Sequence, residues 1–223
     1  LFRSGRAMSA RDDILARVRA ARRDAAAGPD AVAAEAARLV PDLAAVRPSF
    51  ADTDALARFA AKATSERVTA TVEHLATAEA LPAAVGAYLE RNGLGETLAA
   101  ALPPALMGLD WSELALVDRC DRNEAAALTY AEAAIAETGT LVFPSSPAVP
   151  TLFNFLPLHH LAVVRRDDIV PYMEDVWQRF VGRALPRSLN LITGTSGTAD
   201  IEGQNIRGAH GPRFLHIYVL DAG

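Results

Sequence analysis

Residues 189–212 read LNLITGTSGTADIEGQNIRGAHGP, and their interpretation decides the fold class. Leu189, Leu191 and Ile192 form an apolar run suited to a buried strand. Thr193, Gly194, Thr195, Ser196, Gly197 and Thr198 follow. Two glycines there tolerate positive φ, and four hydroxyls surround them. Asp200 and Glu202 come next, at the expected start of a helix. A strand that ends in a Gly/Thr/Ser bend before a helix presents backbone N–H groups to an anion. An ordinary turn, with Thr198 capping a helix, accommodates the same residues. The bend is not a P-loop, because the chain's one lysine is Lys62. It has two glycines where a dinucleotide fingerprint needs three, and it lacks the last glycine of a nucleophile elbow.

Working outward, residues 214–220 (FLHIYVL) predict a terminal strand. His210, in the tight turn before it, is a candidate general acid or base, or a plain turn residue. Upstream, residues 161–164 (LAVV) predict a buried strand that begins near His159-His160. Neighbours on a strand point to opposite faces, so one of these histidines reaches a ligand while the other packs. Asp167 and Asp168 predict a helix start, with Trp177 on its core side. Residues 144–150 form a loop that suits a lid or site wall.

Residues 129–132 (TYAE) form a capping-box pattern, which predicts a short helix over 130–136. Glu137, Thr138, Gly139 and Thr140 then hand over to a strand at 141–143. Glu137 there could hydrogen-bond a ligand, act as a base or nucleophile, or be a surface residue beside a turn. Residues 67–72 alternate as a half-buried strand, residues 81–92 suit a helix closed by Gly93, and residues 114–117 suit a sheet centre. Alternating strands and helices predict an α/β domain over residues 61–223.

Residues 1–60 predict a helical arm and linker. Ser9 and Asp12 cap its first helix, residues 31–40 form another, and Asp52 caps a third that carries Leu56 and Phe59. The N-terminus has no apolar core of a secretory signal, and Met8 suits a natural start. No apolar run is long enough to span a membrane, which points to a cytoplasmic protein. The net charge of −5 argues against a nucleic-acid partner. With Cys120 alone, no intramolecular disulfide and no cysteine-held iron–sulfur cluster are expected, and the scattered histidines show no metal-ligand spacing.

Four ordered blocks carry a family resemblance: AIAETGTLV at 134–142, LPLHH at 156–160, TADIE at 198–202 and HGP at 210–212. Together they resemble the lactate-utilisation protein C family, the LUD domain. The resemblance implies kinship with the superfamily of glucosamine-6-phosphate deaminase, ribose-5-phosphate isomerase and the CoA transferases. That implies a mostly parallel α/β sheet flanked by helices. It also implies a subunit of an L-lactate-oxidising system, with iron–sulfur clusters on partner proteins and no cofactor bound by this chain alone. Relatives often carry Pro at the place of Thr195 and Arg or Lys at that of Gly197; here Arg207 or Arg213 stands nearby to supply the charge. The expected site holds a small anionic ligand. Glu137 and His210 handle protons; residues 138–140, His159 or His160, residues 193–198, Asp200 and Glu202 bind. The alternatives are a non-catalytic scaffold or regulatory subunit, and a stand-alone transferase or isomerase of the CoA-transferase type with Glu137 as nucleophile.

Overall fold

A computed structural model describes residues 10–21, 28–39, 47–50, 54–121, 124–147, 149–201 and 204–221. The chain divides into two compact units, residues 1–49 and 50–223. The first carries two helices, α1 (Ala10–Ala21) and α2 (Pro29–Leu39). Acidic residues open each and an arginine closes each, which complements the helix dipole. The expected caps Ser9 and Asp52 lie outside the described residues.

The second unit begins with α3 (Ala55–Ala63), which buries Leu56, Phe59 and Ala63 along one stripe. Strand β1 (Thr71–Leu75) follows, then α4 (Leu81–Asn92). Pro82 sits in the first turn of α4, where its missing N–H costs nothing. Gly93 ends the helix at φ 65°, and the Leu94 N–H folds back onto the Leu89 carbonyl at 3.0 Å. Next come β2 (Thr97–Ala101), the short α5 (Pro104–Met107), β3 (Ala115–Val117), β4 (Ala126–Tyr130), β5 (Ala133–Ile135) and β6 (Thr140–Pro144). The chain continues through β7 (His159–Arg165), β8 (Ile169–Val170), α6 (Met173–Gln178) and β9 (Leu189–Ile192). It closes with β10 (Gly197–Ile201), β11 (Gln204–Arg207) and β12 (Phe214–Leu220).

Six strands form one sheet in the order β1-β12-β7-β4-β2-β3, with every pairing parallel. This is the parallel α/β sheet flanked by helices that the residue pattern and the resemblance both predict. A four-stranded sheet, β8-β5-β6-β9, packs on one face of it, and β10 and β11 pair as a separate hairpin. Period-two alternation sorts the central strands between two cores. Ala162, Val164, Leu215, Ile217 and Val219 meet α3 and the second sheet through Phe59, Leu141 and Phe143. Leu161, Val163, Tyr218 and Leu220 meet α4 through Leu81, Val85 and Tyr88. Burial on both faces explains why β7 and β12 are almost continuously apolar.

Several local expectations do not survive. The helix over 130–136 is absent: Tyr130 ends β4, and residues 133–135 form β5, paired with β6 and β8. The capping-box pattern is overridden because this segment is buried between paired strands. The strand expected from residue 67 starts at Thr71. Residues 115–117 are an edge strand, paired only with β2 among the described residues, not a sheet centre. Asp167 and Asp168 lie in a single 3₁₀ turn before β8, and the helix begins at Met173. Trp177 is 49% exposed, not core, because α6 buries only Val176. Residues 189–192 form an edge of the smaller sheet rather than a buried strand.

Candidate functional site

The bend after β9 does not open a helix. Residues 197–201 form β10, which turns back as an antiparallel hairpin with β11. The expected helix N-terminus is therefore missing. Two N–H groups of the bend are also already committed. Thr195 N–H donates to the Val68 carbonyl at 3.2 Å, and Ser196 N–H donates to the Pro212 carbonyl at 2.8 Å. An anion cradle of backbone N–H groups at 195–196 does not exist here.

The Gly139 corner docks on the last turn of α3, and the Gly194 corner on the segment that follows it. Gly139 has φ 73°, and a Cβ there would lie 2.7 Å from the Ala63 nitrogen. Gly194 has φ 87°, and a Cβ there would lie 2.0 Å from the Val68 carbonyl oxygen. A run of hydroxyls joins the corners. Thr138 Oγ1 lies 2.6 Å from Thr140 Oγ1, which lies 2.6 Å from Thr193 Oγ1. Thr69 Oγ1 meets Thr195 Oγ1 at 2.7 Å. Thr69 has φ 61°, rare for a β-branched residue, and this contact helps hold it there.

Beside the bend lies a cavity of about 280 Å³. Its walls include Gly194, Thr195 and Ser196 from the bend, and His210, Gly211 and Pro212 from the turn before β12. Asn154, at the end of a 3₁₀ turn over Thr151–Asn154, and His160 of β7 complete the polar lining. The Asn154 and His160 side chains are 2% and 1% exposed. Asn154 Oδ1 and His160 Nδ1 are each buried without a hydrogen-bond partner. Buried polar atoms are rarely left so, and a pair in one cavity wall marks a place for water or ligand. His160 Nε2 is held by Thr129 Oγ1 at 2.7 Å. Burial pushes the His160 imidazole down to about 3, so it is neutral at physiological pH. It serves there as a hydrogen-bonding group, not as a titrating base.

The two histidines separate to opposite faces, as strand geometry requires. His159 turns toward α4, where its Nδ1 lies 2.9 Å from the Tyr88 hydroxyl, and it lies outside the cavity. Burial lowers its pKa as well. Glu137, Thr138, Gly139 and Thr140 are also outside the cavity wall. Thr140 is buried and reaches the bend only through Thr193. The backbone of Glu137 donates to the Pro171 carbonyl at 3.1 Å, and its half-buried side chain stands at the β5–β6 turn. Gly197 and Thr198 pair with Arg207 and Ile206. Asp200 lies in β10, and Glu202 is outside the described residues. Arg207 and Arg213 do not line this cavity. The sequence does not mark Asn154 as a site residue, and it marks Thr129 only as the start of a capping-box pattern. A lone Asn inside the apolar run LFNFLPL was the available signal.

The two layers, the bend and the turn before β12 define a class of protein. Residues 119–220 match the family model of the LUD domain. Over that stretch the chain is similar to the lactate-utilisation protein C family. It is 32% identical over 112 residues to lactate utilization protein C of Halalkalibacterium halodurans, covering 48% of each chain. It is 37% identical over 100 residues to the protein of that name in Bacillus subtilis, covering 42% of each. The chain thus spans about half the length of the curated relatives it matches. Its fold resembles the crystal structure of a DUF162 family protein from Deinococcus radiodurans, with TM-score 0.54 and 22% identity over 76% of this chain and 96% of that one. Among the described residues no helix is long and apolar enough to cross a membrane. No group of three or more His, Cys, Asp or Glu side chains among them could hold a metal ion.

Proposed function

We propose that this chain is the ligand-holding subunit of a lactate-utilisation system, and that a small organic acid sits in the Asn154–His160–His210 cavity. The observation that carries the reading is the pair of buried, unpartnered atoms, Asn154 Oδ1 and His160 Nδ1, in one wall. The relatives' names supply the system. A hydroxyl or protonated carboxyl donates to Asn154 Oδ1. Ser196 Oγ and the exposed His210 stand at the rim for the acid's oxygens. The redox chemistry belongs to iron–sulfur partner proteins. Cys120 is the chain's one cysteine, and burial, helped by Glu124 and Asp121, pushes its thiol up to about 11. A protonated lone thiol suits no cluster.

A non-catalytic, docking role is the second reading, and one observation favours it: the buried imidazole of the cavity does not titrate near neutrality. A nucleophile of the CoA-transferase type would have to be Glu137, which stands outside the cavity wall.

Thermal unfolding with L-lactate, pyruvate and related hydroxy and keto acids tests the proposal. A ligand at a hundred times its Kd stabilises the folded state by about 2.7 kcal/mol. The shift is expected with the parent chain, lost in Asn154→Ala and kept in Glu137→Gln. Loss of the response in Glu137→Gln, with Asn154→Ala unaffected, would move the site to the β5–β6 corner and end the reading. In the assembled system, lactate oxidation that survives Asn154→Ala favours the docking role.

A further inference from the structure

A second site lies on the α4 side of the sheet. Two cavities there share Thr69 and Phe214 as walls. One, of about 270 Å³, runs past Tyr88, Arg91 and His216. The other, of about 640 Å³, is bounded by Arg207 and Arg213. Three exposed arginines therefore line one continuous groove, in a chain whose net charge is −5. None of the three has an ion-pair partner among the described residues. Arg91 lies over the Tyr88 ring at 5.9 Å and Arg213 over the Phe214 ring at 5.7 Å, and guanidinium groups without a carboxylate partner around a concavity form a positive focus suited to phosphate oxygens.

The groove also has an aromatic floor. Phe214 is 43% exposed, yet its ring is held by stacking on His159 at 4.3 Å and 22°. The Tyr88 and His216 rings lie 4.7 Å apart beside it. A rigid, partly open ring between basic groups is a platform for a planar base. His216 is 5% exposed, and its Nε2 has no hydrogen-bond partner. The nearest acid, Glu73, lies 3.4 Å from Nε2 and is misaligned for a hydrogen bond; Thr71 Oγ1 holds Nδ1 at 2.6 Å. The Glu73 carboxylate at this end directs an anion's charge toward Arg207 and Arg213.

We propose that this groove binds a nucleoside di- or triphosphate, with its base on Phe214 and its phosphates between Arg207 and Arg213. Arg91 adds positive potential from α4. The site is separate from the organic-acid cavity, so it stands or falls independently of the function proposed above.

Titration calorimetry of the full chain with ADP, adenosine and inorganic pyrophosphate tests it. ADP is expected to bind more tightly than either fragment, and more weakly as salt rises. Arg207→Ala and Arg213→Ala each weaken ADP roughly tenfold or more, the cost of a lost charged hydrogen bond. Phe214→Ala weakens ADP roughly tenfold and leaves pyrophosphate unchanged. Arg207 and Arg213 are exposed, so unchanged melting temperatures are expected for those two variants, while for Phe214→Ala, which gives up the stacking on His159, unchanged pyrophosphate binding serves as the folding control. Arg119 lies outside both cavity walls, and its side chain is 77% exposed, so Arg119→Ala leaves ADP affinity unchanged. The proposal is overturned by no ADP binding at millimolar concentration, by pyrophosphate binding as tightly as ADP, or by Arg119→Ala weakening ADP as much as Arg213→Ala.

Discussion

Gly194→Ala is expected to destabilise the second unit by about 3 kcal/mol or more, the sum of a strained backbone and a steric overlap. The backbone at 194 has φ 87°, where L side chains are strained whatever the space around them. The added methyl would also lie 2.0 Å from the Val68 carbonyl oxygen and 2.8 Å from its carbon. Neither group gives way easily. Val68 is buried, and its carbonyl accepts the Thr195 N–H, so relieving the clash breaks that bond. Gly86→Ala provides the opposite sign. Gly86 lies within α4 with nothing within 4 Å of an added Cβ, so alanine there stabilises by about 0.5–1 kcal/mol. Urea unfolding of the two variants against the parent measures both. A loss below about 1 kcal/mol at residue 194 would mean that the bend does not rest on Val68 as described.

Acid is expected to act through His160 more than through any surface group. An ordinary histidine titrates near 6.5 when unfolded, whereas burial lowers His160 to about 3 in the fold. Between those values the unfolded chain binds the extra proton. The stability associated with neutral His160 is therefore complete above about pH 6.5 and lost as pH falls toward 3. From pH 7.5 to pH 5 the loss is about 2 kcal/mol. His159 and His216 are lowered in the same direction, chiefly by burial, so they add to the acid sensitivity.

His160→Gln separates these terms. At pH 7.5 the variant is less stable by about 1–3 kcal/mol, because the buried Thr129 hydroxyl loses its partner. The deficit shrinks by about 2 kcal/mol at pH 5, since the variant has no imidazole at that position to protonate. Denaturant curves at the two pH values test this. Parallel losses in parent and variant would show that His160 is hydrated in solution and that its surroundings are not the closed wall described.

The functional reading and these stability effects share residues. His160 is costly to bury, its Nδ1 has no hydrogen-bond partner, and the residue lines a cavity. A group that opposes folding in acid and leaves one ring nitrogen unpartnered when neutral is the kind of group the proposed ligand would satisfy. The hydroxyl run from Thr138 through Thr140 to Thr193 is different, because every member has a partner within the protein. It braces the two corners and need not touch a ligand.

Much of the architecture was legible in local pattern. The α4 helix could be read from Pro82 through Gly93, and β12 from an apolar run interrupted only by His216. The opposite faces of His159 and His160 followed from strand period alone. The four motif blocks carried the likeness to the LUD domain before any contact was known. What failed were segments whose local signals mimic another structure. TYAE at 129–132 has the spacing of a capping box, but burial between strands outweighs a preference of about 1 kcal/mol. The Gly/Thr bend looked like the entrance to a helix because N–H supply is a local property, whereas the partners that consume it are not.

Residue order by itself determined that β7 and β12 are buried strands, where α4 ends, and that the two histidines of β7 take opposite sides. These depend on periodicity and backbone chemistry within a few neighbours. Only the tertiary structure decided that β10 and β11 form a hairpin and that Arg207 and Arg213 line a groove other than the cavity beside the bend. It alone set Asn154, in a separate turn, beside His160. Such placements depend on contacts between residues distant along the chain, whose free energy no local pattern encodes.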